Sequence, residues 1–119
     1  MNKTNKAIKS LKKKLDRMLQ EKYVYLNPFC LVCNNLTSEM HHYIPKSRSN
    51  KLRYDDKNLI PLCRVCHCKI HQEGDPRVNQ IIIKKKGHEW ADMLEEIRRV
   101  YCKLNLTTLK EIERSLLDD

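Results

Sequence analysis

Apolar side chains recur at Ile8, Leu11, Leu15, Met18 and Leu19, the three-and-four spacing of one helical face, with Lys6, Lys9, Lys12, Lys13, Lys14 and Arg17 around it. The spacing predicts a basic amphipathic helix over residues 3–21, inside an N-terminal segment, 1–28, that Asn27 and Pro28 bring to an end. From Phe29 to Gly74 the helical period gives way to cysteines, histidines and short apolar pieces. The pieces at 40–44 and 59–62 predict two strands, and a helix is expected from Cys63 or Arg64 to Gln72, with Gly74 as its stop. In residues 75–119 the helical period returns. Asp75 and Pro76 form an N-cap and first turn, Val78, Ile81 and Ile82 share a face, and Gly87 closes the helix in a left-handed conformation. Trp90, Leu94, Ile97, Tyr101 and Leu104 predict a helix over 88–104. Thr108 and Glu111 have the spacing of a capping box, opening a last helix whose apolar face is Leu109, Ile112 and Leu116. The fold class is therefore α+β, with a short-stranded segment at 29–74 between helical flanks.

A chain of 119 residues is one domain with extensions and excludes a large multi-domain enzyme. Aromatics make up only 6 %, so the core is thin and needs help from something other than burial. Lys and Arg number 24 against 15 Asp and Glu, a formal charge of +9, and residues 1–22 carry eight basic and two acidic side chains. That field favours a polyanion, nucleic acid first. No apolar run reaches the length of a membrane span or a signal peptide, so a cytoplasmic protein with no membrane partner is expected. In that reducing compartment cysteines serve metals more often than disulfides.

Cys30 with Cys33, and Cys63 with Cys66, form two C-x2-C pairs, the spacing that presents two thiolates to one tetrahedral zinc. A structural Zn2+ on these four would contribute folding free energy directly and offset the thin core. The 29 residues between the pairs exceed a zinc-ribbon interval, so the ion would pin the ends of a segment with its own chemistry. Cys68 and Cys102 fall outside the pattern and are expected to be ordinary thiols. Four histidines lie in or just after that segment. His67 and His71, four apart on the predicted helix, stack on one face and can share a metal ion. His41 and His42 are neighbours on a strand and point to opposite sides, so one can bind the ion while the other stays free as a base.

The stretches Cys30-Leu-Val-Cys33, His41-His42-Tyr-Ile-Pro45, Asn58-Leu-Ile-Pro-Leu-Cys63-Arg-Val-Cys66-His67 and finally His71 resemble the HNH nucleases of the zinc-knuckle type. The resemblance covers residues 29–72 and implies a ββα-metal core with a four-cysteine zinc knuckle, flanked here by the basic N-terminal helix and the C-terminal helices. It implies a metal-dependent DNA endonuclease in which His42 is the general base, Asn58 fixes the loop, and His41, His67 and His71 hold the catalytic divalent ion (Mg2+, Mn2+, Ni2+ or Zn2+). Many relatives carry an acid where His41 stands. The products it implies are a 3′-hydroxyl and a 5′-phosphate. The order Cys30 to Ser38, His42-Tyr43, Leu52-Arg53-Tyr54 and the second knuckle is similar to the NinG and Rap recombination nucleases of lambdoid phages, implying a phage-encoded enzyme acting on branched DNA in the host cytoplasm. Lys12, Lys13 and Arg17 on the first helix, and Lys46, Arg48, Lys51 and Arg53 after the histidine pair, are candidate DNA contacts. The alternative is a zinc-dependent nucleic-acid-binding module without catalysis, which would keep the knuckles and basic patches but need neither His42 nor His67 with His71. A homodimer through the Leu-rich C-terminal helices is compatible with either.

Overall fold

The computed structural model describes residues 2–118; Met1 and Asp119, the outer ends of the first and last expected segments, lie outside the described residues. Helix α1 spans Lys3–Leu26, strand β1 Glu39–His42, strand β2 Leu59–Leu62, and helices α2 to α5 span Arg64–His71, Pro76–Lys86, His88–Arg98 and Leu106–Leu117. Short 3-10 turns at Lys46–Arg48 and Asp56–Asn58 lie between the strands. None of the described helices is long and apolar enough to cross a membrane.

Helix α1 begins where the Asn2 side chain accepts from the Asn5 N–H at 2.8 Å. It runs five residues past the expected end and stops at Asn27, because a residue before proline is disfavoured in the α region. Its buried stripe holds Leu15 and Leu19, both fully enclosed. Leu19 packs on Met40 and Leu59 of the strands, while Leu15 meets Leu104 and Leu109. The strands pair antiparallel, with His41 opposite Ile60 and His42 opposite Leu59. Period-two alternation turns Met40, His42 and Leu59 towards the α1 side, and Glu39, His41, Ile60 and Leu62 towards α2. Ile60 and Leu62 pack with Cys30, Cys63, Cys66, Val78 and Ile82 in a core between the sheet, α2 and α3.

The outer edge of β1 is closed by a single side chain. Gln20 of α1 accepts from the Met40 N–H at 2.7 Å and donates to the Met40 carbonyl at 2.9 Å, as a neighbouring strand would. On the far side of the sheet Pro61 carries no N–H, and its carbonyl accepts from Leu31 N–H at 2.9 Å.

In the C-terminal third the structure departs from four expectations. The helix expected over 88–104 ends at Arg98, and Tyr101 is 85 % exposed. Leu104, which continued the stripe by spacing, belongs to the separate cluster with Leu15 and Leu109, so the chain has to leave α4 to reach α1. The last helix is capped by Asn105, whose side chain accepts from the Thr108 N–H at 2.9 Å, and not by Thr108 itself. The Leu109, Ile112 and Leu116 face packs on α1 within the same chain, which removes the surface expected to bind a second copy. Lys22 fastens this arrangement by donating to the carbonyls of Leu116 and Asp118 at the end of α5. Gly87 joins α3 to α4 at φ +96° and ψ 149°, outside the left-handed helical region expected and accessible essentially to glycine alone.

Candidate functional site

Two ligand-type clusters meet on α2. The first is made of thiols. Asn34, at φ +65°, turns the chain after Cys33, and the Cys30 carbonyl accepts from the Asn34 N–H. Cys63 is the N-cap of α2, its sulfur accepting from the Cys66 N–H at 3.4 Å. The ligand atoms of Cys30, Cys33, Cys63 and Cys66 lie within 4.8 Å of one another. Cys33 and Cys63 sulfurs are 3.4 Å apart, well beyond a disulfide bond of about 2.05 Å. Zinc–sulfur bonds of about 2.3 Å give a tetrahedron edge of about 3.8 Å, so the spacing fits a zinc centre with four thiolate ligands. Burial opposes ionisation of Cys30, but backbone N–H groups of Cys33, Cys63 and Val32 outweigh it and bring its pKa down to about 7. Burial and the neighbouring thiols push Cys66 up: sulfurs gathered this closely resist sharing negative charge without a cation.

The second cluster is made of imidazoles. His41, from the α2-facing side of β1, and His67 and His71, one turn apart on α2, bring ring nitrogens within 4.8 Å of one another. His41 Nδ1 is 3.3 Å from His71 Nε2. Burial lowers the His41 pKa to about 3, helped by the neighbouring imidazoles, and His67 is lowered chiefly by burial. Neutral imidazole is the form that binds metals. Glu39, which the sequence reading did not single out, lies 2.5 Å from His67 Nδ1. The contact leaves His67 Nε2 for the cluster. Glu39 stands two residues before His41, and the same period-two rule that separated His41 from His42 would have placed it on the ligand side.

Both groups of histidines open on one cleft of about 730 Å³, lined by His41, His42, His67 and His71 together with Lys46 and Glu39. His42 Nε2 is 2.8 Å from the Arg53 carbonyl. A carbonyl can only accept, so Nε2 carries the proton and Nδ1 carries the lone pair in the neutral ring. Burial lowers the pKa of His42 and so disfavours the charged ring. Asn58 does not line this cleft. It is fully buried, accepts from the Ile44 N–H at 2.8 Å and donates to the Ile44 carbonyl at 2.9 Å, while its own carbonyl accepts from the Tyr43 N–H. It pins the segment that follows His42.

The expected DNA contacts divide. Among the described residues Lys46 alone of the seven lines the cleft. Lys13, Arg17, Arg48 and Lys51 are exposed elsewhere and Lys12 is half-buried. Arg53 is a correction: its guanidinium is spent on Asp16 of α1, at 2.8 Å, with both side chains largely covered. Cys68 and Cys102 stand apart from both clusters, as expected of ordinary thiols.

Residues 30–73 match the family model described as HNH endonuclease, a span that holds both clusters, His42 and Asn58. No curated protein and no solved structure matches the chain.

Proposed function

We infer from the HNH domain at residues 30–73 that this chain is a metal-dependent endonuclease hydrolysing phosphodiester bonds in DNA. The observation that carries the reading is the convergence of three imidazoles beside a fourth whose Nδ1 carries the lone pair, all on one open cleft. His41, His67 and His71 would hold the catalytic divalent ion, three nitrogen donors with coordination positions left over for substrate and water. Imidazole donors rank Zn2+ and Ni2+ above Mg2+ at such a site. When bound, the ion supplies positive charge against the phosphate oxygens and the leaving 3′ oxygen.

The remaining chemistry belongs to side chains of this chain. His42 Nδ1 takes the proton of the attacking water, and the Nε2–H bond to the Arg53 carbonyl holds the resulting imidazolium in place. Lys46, exposed at the rim of the cleft, is placed to meet a phosphate. Lys13 and Arg17, exposed on α1, add sequence-independent attraction. Asn58 keeps residues 43 and 44 fixed behind the base. The thiol cluster would carry a structural Zn2+ and take no part in the reaction.

The similarity of Cys30 to Ser38 and of Leu52-Arg53-Tyr54 to phage recombination nucleases makes branched DNA the first structured substrate to test. Purified protein is incubated with supercoiled plasmid and with a four-way junction, with Mg2+, Mn2+ or Ni2+ or without added ion, beside His42→Ala. Ion-dependent cutting lost in His42→Ala supports the nuclease. A parent that binds both DNAs and cuts neither under any ion leaves the non-catalytic zinc module as the better reading.

A further inference from the structure

Helix α1 precedes the HNH segment, yet three of its residues grip the chain on either side of His42. Lys12, Asp16 and Gln20 are spaced four apart and so share one face of the helix. The Lys12 carbonyl accepts from the Tyr54 hydroxyl at 3.2 Å. Asp16 receives the Arg53 guanidinium on both oxygens, from Nε at 3.3 Å and Nη2 at 2.8 Å. Gln20 clamps the backbone of Met40, two residues before His42.

Arg53 lies in a turn, outside helix and sheet, and its carbonyl is the acceptor of the His42 Nε2–H. A turn carbonyl is a mobile anchor unless something holds the residue that bears it. The forked ion pair with Asp16 fixes that residue, and the side chains are only 20 % and 25 % exposed, so water competes weakly for it.

We propose that Asp16 is a positioning residue for His42, acting through Arg53: by holding the Arg53 carbonyl in place it commits His42 to the Nε2–H tautomer and aims Nδ1 into the cleft. This rests on the nuclease reading above for its catalytic consequence, though not for its structural one. Asp16 touches neither substrate nor ion. Its removal leaves the three-imidazole cluster intact and disturbs only the base. Misplacement of a reacting group by about 1 Å costs on the order of 100-fold in rate, so a loosened anchor should lower kcat about 10- to 100-fold with KM little changed.

Asp16→Asn keeps the shape and removes the charge, and Arg53→Lys keeps a charge and removes the fork, so two independent variants address the pair. Each is measured by melting temperature, by nitrogen NMR of the His42 ring with the ring neutral, and by plasmid cleavage with Mn2+ in the parent and His42→Ala backgrounds. Expected are a melting temperature close to the parent's, His42 nitrogen shifts moved towards a mixture of tautomers, reduced kcat, and no further loss of rate when Asp16→Asn is added to His42→Ala. Unchanged His42 shifts in both folded variants would overturn the proposal, as would a rate loss of the same size in the His42→Ala background. If the parent cuts no DNA at all, the nuclease reading fails by itself and the ring nitrogen shifts still decide whether Asp16 positions His42.

Discussion

The thiol cluster and the imidazole cluster share one short helix, α2, of eight residues, but differ in the properties that decide what an ion could do there. Cys30, Cys63 and Cys66 are 2 %, 6 % and 4 % exposed, and four soft donors close a tetrahedron. The imidazoles offer three borderline donors at the wall of an open cleft, with His42 alongside. The first arrangement would saturate an ion and tie residues 30–33 to the start of α2. The second would leave an ion unsaturated. One helix thus carries a candidate fastening at its N-terminus and a candidate metal wall over its next turns, and the difference lies in donor count and donor softness.

The comparison can be broken first at its closed end. Cys63→Ser, or stripping the thiol cluster with a strong chelator, should unfold the 29–74 segment, since a structural zinc contributes roughly 10–16 kcal/mol of apparent binding in small modules. Elemental analysis and circular dichroism check it; a zinc-free protein that melts like the parent would reduce the cluster to four buried thiols. His42→Ala probes the open end. Cleavage should fall on the order of 100- to 10,000-fold, with melting temperature and Mn2+ affinity near the parental values. Parental cutting rates would remove His42 as the base.

Asn58→Ala lies between the two extremes, because it strips partners from the buried N–H and carbonyl of Ile44. A loss of about 2–4 kcal/mol in denaturant unfolding is expected, with thiol-bound zinc retained. If activity fell with no change in stability, Asn58 would instead act within the cleft. The smallest effect is expected far from both clusters: Lys13→Gln with Arg17→Gln should reduce the slope of log affinity for duplex DNA against log salt by about two, leaving melting unchanged. An unaltered slope would make those charges a solvated face.

Both clusters were legible in the sequence for a local reason. C-x2-C and the four-residue interval from His67 to His71 encode ligand geometry within a single turn, whereas the choice of His41 over His42 as the third imidazole came from the resemblance to HNH nucleases. The strands were placed to within two residues, and Asp75 with Pro76 caps α3 as expected. What escaped was non-local. The Gln20 clamp on Met40 spans 20 residues and the Asp16 pair with Arg53 spans 37, and neither residue differs in sequence from its solvated neighbours on a charged helix. Arg53 read as a DNA contact because a guanidinium in a basic loop carries no mark of the carboxylate awaiting it. The error at Leu104 has the same origin: its spacing continues the α4 stripe, but the cluster it joins lies on α1.

A sheet of two strands consists entirely of edges, and an unpaired edge is a template on which another chain can add by backbone hydrogen bonding. At Met40 the amide of Gln20 already occupies both the donor and the acceptor that an incoming strand would need, while Pro61 offers no donor and has its carbonyl taken by Leu31. The two-stranded sheet is thereby closed to recruitment at these positions on both sides, so the hairpin bearing His41 and His42 resists the edge-to-edge stacking that seeds fibrils. Losing the Gln20 amide would expose that template first, and its mark would be aggregation on standing together with a fall in melting temperature, since the buried Met40 groups would lose their partners.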